Sequence, residues 1–234
     1  MTAHDSLDIL YLDNHLIAVN KPFGLPTQSE RTDDPSLLEQ TRSWIKTEYH
    51  KPGNVFLGMV HRLDQPVAGV VVFARTSKAA SRLSAQFRER TTQKIYQAVV
   101  ENQMEHSSGT LVAYLKKEKS RKTTVYPRPA PEAKQAELSY RVIKTFPHAC
   151  VLEIIPQTGR FHQIRAQLAF VGHPIIGDVK YGARSPLLPA QNIALYAREL
   201  IFNHPITGER VTIQAPKPPG WPFIKNPTTP DDNL

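Results

Sequence analysis

The chain has 234 residues, of which 40% are hydrophobic and 21% charged, so a sizeable buried core is available in one large domain or two small ones. Lys and Arg number 29 against 21 Asp and Glu, a net charge of +8 with a pI near 9.6, which favours a polyanionic partner such as nucleic acid. The single cysteine, Cys150, excludes an internal disulfide and any multi-cysteine zinc site.

In chain order, residues 7–12 and 16–20 read as two short strands, with Asp13-Asn14-His15 as the turn of a hairpin. Asp34-Pro35 resembles an N-cap followed by proline at the first helical position, and Leu37, Leu38, Trp44 and Ile45 give the helix one apolar face to about Tyr49. A strand over 55–60 leads into His61-Arg62-Leu63-Asp64-Gln65-Pro66. The next strand, 67–75, is apolar on both faces and belongs in the middle of a sheet. Its apolar run is far too short to span a bilayer, and the N-terminus lacks a basic patch followed by an apolar run. The expectation is a soluble, cytoplasmic protein with no membrane partner.

Ser77 is placed to cap a helix through Arg90, with Ala80, Leu83 and Phe87 turned inward. Residues 94–101 alternate as a strand. Between Lys116 and Lys134 the basic residues crowd together with few apolar ones, as a basic loop or hairpin. Strands resume at 136–145 and 150–155. Thr158-Gly159 opens a helix whose Phe161, Ile164, Leu168 and Val171 share a face and which Gly172 ends. Strands at 194–203 and 209–215 are joined by a turn at 204–208. From Pro216 onward proline dominates, so the domain is expected over 1–216 with a loosely held tail over 217–234. Strands outnumber helices and run mostly in neighbouring pairs, which predicts an α+β domain around a mixed or antiparallel sheet.

Asp64 follows a strand and precedes a proline turn, a position where reactive groups are often mounted on rigid scaffolding. A carboxylate beside an arginine is favoured in its ionised form, which suits a nucleophile or a base. Taken alone, however, His61 to Asp64 are better explained as a structural ion pair flanking a turn. Arg160, His162, Gln163 and Arg165 gather at a helix N-terminus, where free N–H groups and arginines make an anion site for phosphate or for Asp64. His162 and Arg165, three residues apart, are neighbours on that helix. Tyr96 is either a structural strand tyrosine or a ring that stacks on a base. The nine histidines show no metal-binding spacing, and no glycine-rich phosphate motif is present, so neither metal nor nucleotide cofactor is expected. Gly177-Asp178 and Tyr181-Gly182 read as architectural turns.

Together these segments resemble the RluA family of RNA pseudouridine synthases. The matching pieces are Asn20-Lys21-Pro22-Phe23-Gly24, His61-Arg62-Leu63-Asp64 with 69–74 after it, Lys94-Ile95-Tyr96, the stretch 156–165 and the stretch 172–178, all in the family's order. The resemblance implies a pseudouridine synthase fold, a single domain on a long mixed sheet crossed by the active-site cleft. It implies that Asp64 is the catalytic nucleophile, that Tyr96 packs on the target base and assists proton removal, and that Arg165 pairs with Asp64. His61, Arg62, Arg160, His162 and Gln163 are the candidate substrate-binding residues. The implied reaction converts uridine in ribosomal or transfer RNA to pseudouridine, without cofactor or metal, in a monomer that does not act on DNA. Many relatives have Ser or Thr at the position of Phe161 and His at that of Gln167, which bears on RNA contacts or packing near the site. Many also carry a small N-terminal RNA-binding domain, whereas here the first strand begins almost at once, so substrate selection is expected to fall to the catalytic domain. Two other readings are an inactive RNA-binding module of the same fold and a glycosidic-bond hydrolase. Retention of Asp64, Tyr96 and Arg165 weighs against the first, and the lack of a paired second acid against the other.

Overall fold

The computed structural model describes residues 7–28, 35–184 and 192–222. The described chain runs β1 (Ile9–Leu12), β2 (Leu16–Lys21), α1 (Leu37–Glu48), β3 (Gly58–Met59), β4 (Ala68–Ala74), α2 (Ser77–Glu89), β5 (Gln93–Glu101), β6 (Ser108–Lys117) and β7 (Thr123–Tyr126). It continues with β8 (Lys134–Phe146), β9 (Ala149–Pro156), α3 (Gln163–Phe170), a short 3-10 turn (Val179–Tyr181), β10 (Leu195–Asn203) and β11 (Arg210–Gln214). The strands form one sheet in the order β1-β2-β4-β10-β5-β9-β8-β6-β7, with β3 added beside β4 and β11 beside β10. The architecture is the expected α+β type. Its pairings are antiparallel except one: β4 and β10 run parallel, through Ala68 with Tyr196 and Gly69 with Ala197.

All seven residues of β4 are buried, as expected of a central strand. Because side chains alternate along a strand, β2 and β4 feed two cores at once. Ile17, Val19, Val71 and Phe73 share one core with Leu37 and Ile45 of α1 and with Ile164 and Leu168 of α3. Leu16, Ala18, Val70 and Val72 share the other with Ala79 and Leu83 of α2. Each fully buried Leu, Ile, Val or Phe contributes roughly 1.5–3 kcal/mol. The first hairpin turns as expected, with Asp13 Oδ1 accepting from the backbone N–H groups of His15 and Leu16, both at 2.7 Å.

Several boundaries differ from the sequence reading. The cap of α1 is Ser36, whose hydroxyl accepts from Glu39 N–H while the Glu39 carboxylate accepts from Ser36 N–H at 2.7 Å. Pro35 therefore precedes the cap, and Asp34 lies outside the described residues. Thr76, not Ser77, caps α2, accepting from Ala79 N–H at 3.2 Å. The strand expected at 55–60 is only Gly58–Met59. The basic stretch, expected as a loop or hairpin, holds the end of β6, a turn and β7 paired as a hairpin; β6 has no counterpart among the expected elements. Trp221 is buried and meets the Tyr196 ring edge-on, with centroids 4.6 Å apart, so the stretch expected to be loose from Pro216 is docked through Trp221. Residues 223–234 lie outside the described residues.

The largest departure is α3. It begins at Gln163, not at Thr158, and Gln163 through Leu168 are all buried, so it has no solvent face over that span. Phe161 precedes it and half-exposed Val171 follows it. Gln163 explains the late start. Its side-chain carbonyl accepts from the Thr158 hydroxyl at 2.7 Å and from Arg160 N–H at 3.0 Å, while its amide donates to Glu137 O at 3.0 Å. These bonds hold 158–162 as a loop against β8 and satisfy a buried amide that would otherwise be destabilising.

Candidate active site

Asp64 stands in the turn before β4, and two buried polar side chains from the 21–27 segment hold that turn. The Thr27 hydroxyl donates to Leu63 O at 2.9 Å and accepts from Leu63 N–H at 3.2 Å. The Lys21 ammonium donates to the carbonyls of Pro22, Leu25 and Gln65, at 3.0, 2.6 and 3.0 Å. Gly24 and Gln65 close the frame through Gly24 N–H to Gln65 O at 3.0 Å and Gln65 Nε2 to Gly24 O at 2.9 Å. Burial pushes the Lys21 amine down to about 7, and nearby Asp64 opposes that shift. The 21–27 segment thus fixes the backbone on both sides of Asp64, Thr27 at Leu63 and Lys21 with Gly24 at Gln65.

Across from this turn, Arg165 of α3 reaches Asp64 Oδ2 with one terminal nitrogen at 3.3 Å. The same guanidinium is clamped by Asp178, with Nε donating to Oδ2 at 2.7 Å and its second terminal nitrogen to Oδ1 at 2.8 Å. Arg165 and Asp178 are almost fully buried. Burial weakens the Arg165 charge, but the two carboxylates outweigh it and hold its pKa above the ordinary value. At Asp64 the balance runs the other way. Burial raises its pKa against the lowering effects of Arg165, Arg62 and Lys21. The arginines favour the ionised form as the sequence suggests, but desolvation is the largest influence on this carboxylate.

His162 places Nε2 at 3.6 Å from Asp64 Oδ2 and Nδ1 at 2.9 Å from the Tyr181 hydroxyl. Its ring stacks on Phe161 with centroids 3.8 Å apart, and Lys117 lies over the Phe161 ring at 4.5 Å. Tyr96 of β5 lines the same cleft of about 540 Å³ as Asp64, Arg62, Arg160 and Arg165. Burial, with Asp64 adding to it, pushes the Tyr96 phenol well up, so it stays protonated.

The other expected site residues divide. Arg62 is exposed at the cleft, and Arg160 lines it while its Nε donates to Gln135 O at 3.0 Å. His61 accepts from Val72 N–H through Nε2 at 3.0 Å and stacks on Phe87, with ring centroids 4.8 Å apart. Gln163 spends its side chain on the loop before α3. These two residues are anchored into the scaffold, although both border the cleft. Arg160 and His162 sit in the turn before α3, so the expected cluster is a loop followed by a helix. Residues that the sequence reading did not place in the site stand at its centre: Lys21, Thr27, Asp178 and Tyr181. A lysine ending a mostly apolar strand is a signal that could have found Lys21. Asp178 and Tyr181 resemble ordinary turn residues until α3 is packed beside them.

A family model described as RNA pseudouridylate synthase matches residues 15–170. The dual-specificity RNA pseudouridine synthase RluA of Haemophilus influenzae is 34% identical over 215 residues, covering 89% of this chain and 92% of that protein. The ribosomal large subunit pseudouridine synthase C of Vibrio vulnificus is 34% identical over 213 residues, covering 89% of this chain and 65% of that one. Among solved structures, human RNA pseudouridylate synthase domain containing 4 superposes with a TM-score of 0.76 at 25% identity, covering 92% of this chain and 90% of that chain.

Proposed function

Because the chain belongs to the RluA family of RNA pseudouridine synthases, we propose that it isomerises specific uridines in structured ribosomal or transfer RNA, with Asp64 as the nucleophile. In the net reaction the bond from ribose C1′ to uracil N1 breaks and a C1′–C5 bond forms. C5 gives up its proton and N1 gains one, so nothing is added or lost.

The observation that carries this reading is the buried array Asp64–Arg165–Asp178 beside the cleft. Asp178 fixes the guanidinium, which then orients one oxygen of Asp64. Partial dehydration leaves the carboxylate reactive, while Arg165, Arg62 and Lys21 favour its charged form. Tyr96, protonated and facing the same space, packs on the uracil and offers an O–H donor; its raised pKa suits it less to taking the C5 proton. A uridine stacked in a helix cannot reach these groups, so it must be flipped into the cleft, whose volume accommodates one nucleoside. Arg62 and Arg160 at the cleft and Lys119 and Lys122 on the β6–β7 turn hold the RNA backbone. The enzyme works as a cytoplasmic monomer without metal or cofactor. Among the described residues no helix is long and apolar enough to cross a membrane.

The test is to incubate purified protein with structured ribosomal and transfer RNA and map pseudouridine. Wild type is expected to modify discrete sites, and Asp64→Asn to bind the same RNA without modifying it. Free uracil released by the wild type would indicate a hydrolase, and binding with no modification would indicate an inactive module. Either result overturns the proposal.

A further inference from the structure

Asp64 has two oxygens, and its neighbours treat them differently. Arg165 reaches Oδ2 at 3.3 Å and His162 Nε2 approaches the same oxygen at 3.6 Å. Both contacts fall on Oδ2, and Oδ1 receives neither. We propose that His162 is a positioning residue: it presents Nε2–H to Oδ2 and, with Arg165, reserves Oδ1 as the oxygen that attacks. This deepens the reading of Asp64 as nucleophile and rests on it.

The tautomer follows from the hydrogen-bond chain behind the ring. Thr123 N–H donates to the Tyr181 hydroxyl oxygen at 2.9 Å. That oxygen lies 2.9 Å from His162 Nδ1. With Thr123 supplying one donor, the tyrosine's own hydrogen is free to point at Nδ1, an arrangement that places the imidazole proton on Nε2. The opposite tautomer would turn the Nε2 lone pair toward the Asp64 carboxylate, an unfavourable contact. Burial, with Arg165, Lys180 and Lys117 adding to it, pushes the imidazole down to about 3, so the ring is neutral and carries only one N–H. A separation of 3.6 Å is longer than a hydrogen bond. Such contacts commonly tighten only when substrate fills the site.

The backbone supports the same role. His162 adopts a left-handed conformation, φ 52°, which is unfavourable for a side-chain-bearing residue and persists only where neighbours enforce it. Phe161 stacks on one side of the ring, and Tyr181 meets it edge-on with centroids 5.7 Å apart. The Thr123 hydroxyl donates to Phe161 O at 2.8 Å, tying the turn to β7. His162 was expected to bind substrate, but its side chain is only 8% exposed, which leaves little of it for RNA. The enclosure suits a group that acts on Asp64.

The experiment combines three readouts on Asp64→Asn, His162→Asn, His162→Gln and Tyr181→Phe: single-turnover pseudouridine formation at saturating RNA, RNA affinity, and imidazole 15N resonances. Asparagine is too short to place an N–H where Nε2 stands, whereas the glutamine amide reaches it. His162→Asn is expected to slow the chemical step roughly tenfold with RNA affinity unchanged, the size of one hydrogen bond to a charged group. His162→Gln should recover most of that loss. Wild-type His162, assigned by the signal missing from the variants, should show the neutral Nε2–H pattern, shifted toward Nδ1–H in Tyr181→Phe. The wild-type tautomer needs no variant to fold: an Nδ1–H or doubly protonated ring overturns the proposal. Equal rates for the asparagine and glutamine variants, or a loss confined to RNA affinity, overturn it as well. If Asp64→Asn stays active, the nucleophile reading itself fails; if Asp64 is required and His162 is not, only this proposal fails.

Discussion

Arg165 lies between two carboxylates that use it differently. Asp178 takes two short hydrogen bonds and is itself almost fully buried, whereas Asp64 takes one longer contact and keeps 24% of its side chain exposed. The first interaction fixes a geometry, and the second leaves a carboxylate partly open to the cleft. Removing one partner of a buried ion pair strands a charge, which costs far more than the pair itself contributes. Asp178→Ala should therefore lower stability by about 3 kcal/mol in urea unfolding, at the lower end because Asp64 remains as a partner. A loss below about 1 kcal/mol would show that Asp64 alone suffices to hold the guanidinium.

At the scale of elements, the join between β4 and β10 has no room for a side chain at Gly69. Gly69 has φ +115°, and a Cβ there would overlap the backbone of Ala197 on the facing strand. Neither strand is free to give, because β4 is buried and paired with β2, while β10 is paired with β5. Gly69→Ala should cost about 2 kcal/mol or more from conformational strain and overpacking. The midpoint of chemical unfolding measures it, and an unchanged midpoint refutes it. Most strands were legible in the sequence because alternation and continuous apolar runs are local. Residues 68–74 announce a central strand by composition alone. The strand β6 was not legible, since its outward face carries Val112 and Tyr114 beside buried Ala113 and Leu115, which blurs the apolar–polar alternation. The start of α3 was hidden for a different reason. Thr158-Gly159 has the chemistry of a helix opening, but Gln163 bonds across to Glu137 and delays it. Asp64, Tyr96 and Arg165 were readable only through the family resemblance; Asp178 needed the fold, because its partner lies on another element.

For the molecule as a whole, acid stability should be set in part by histidines held neutral. Burial, reinforced by Lys94, pushes the His61 imidazole from 6.5 down to about 3. Between those values the unfolded chain binds a proton that the folded chain refuses. The contribution is thus fully present above pH 6.5 and is lost as pH falls toward 3. Protonation would also consume the Nε2 lone pair that accepts from Val72 N–H. The gap in unfolding free energy between wild type and His61→Gln, which cannot titrate, should shrink as pH falls through that window. A gap independent of pH would show that His61 titrates normally in the folded protein.

The parallel join also governs when the protein becomes an enzyme. In the sheet, β10 lies between β4, which follows Asp64, and β5, which carries Tyr96. The two residues are near in sequence, yet a strand made much later in the chain separates the strands that display them. As the polypeptide is synthesised from its N-terminus, both halves of the site leave the ribosome before the strand that joins them. Their pairing closes a long loop, which is a slow step, and until it closes the edges of β4 and β5 stand open to misassembly. Activity therefore arrives late in synthesis, and a partly made chain that contains Asp64, Tyr96 and Arg165 still lacks the strand that sets them facing one cleft.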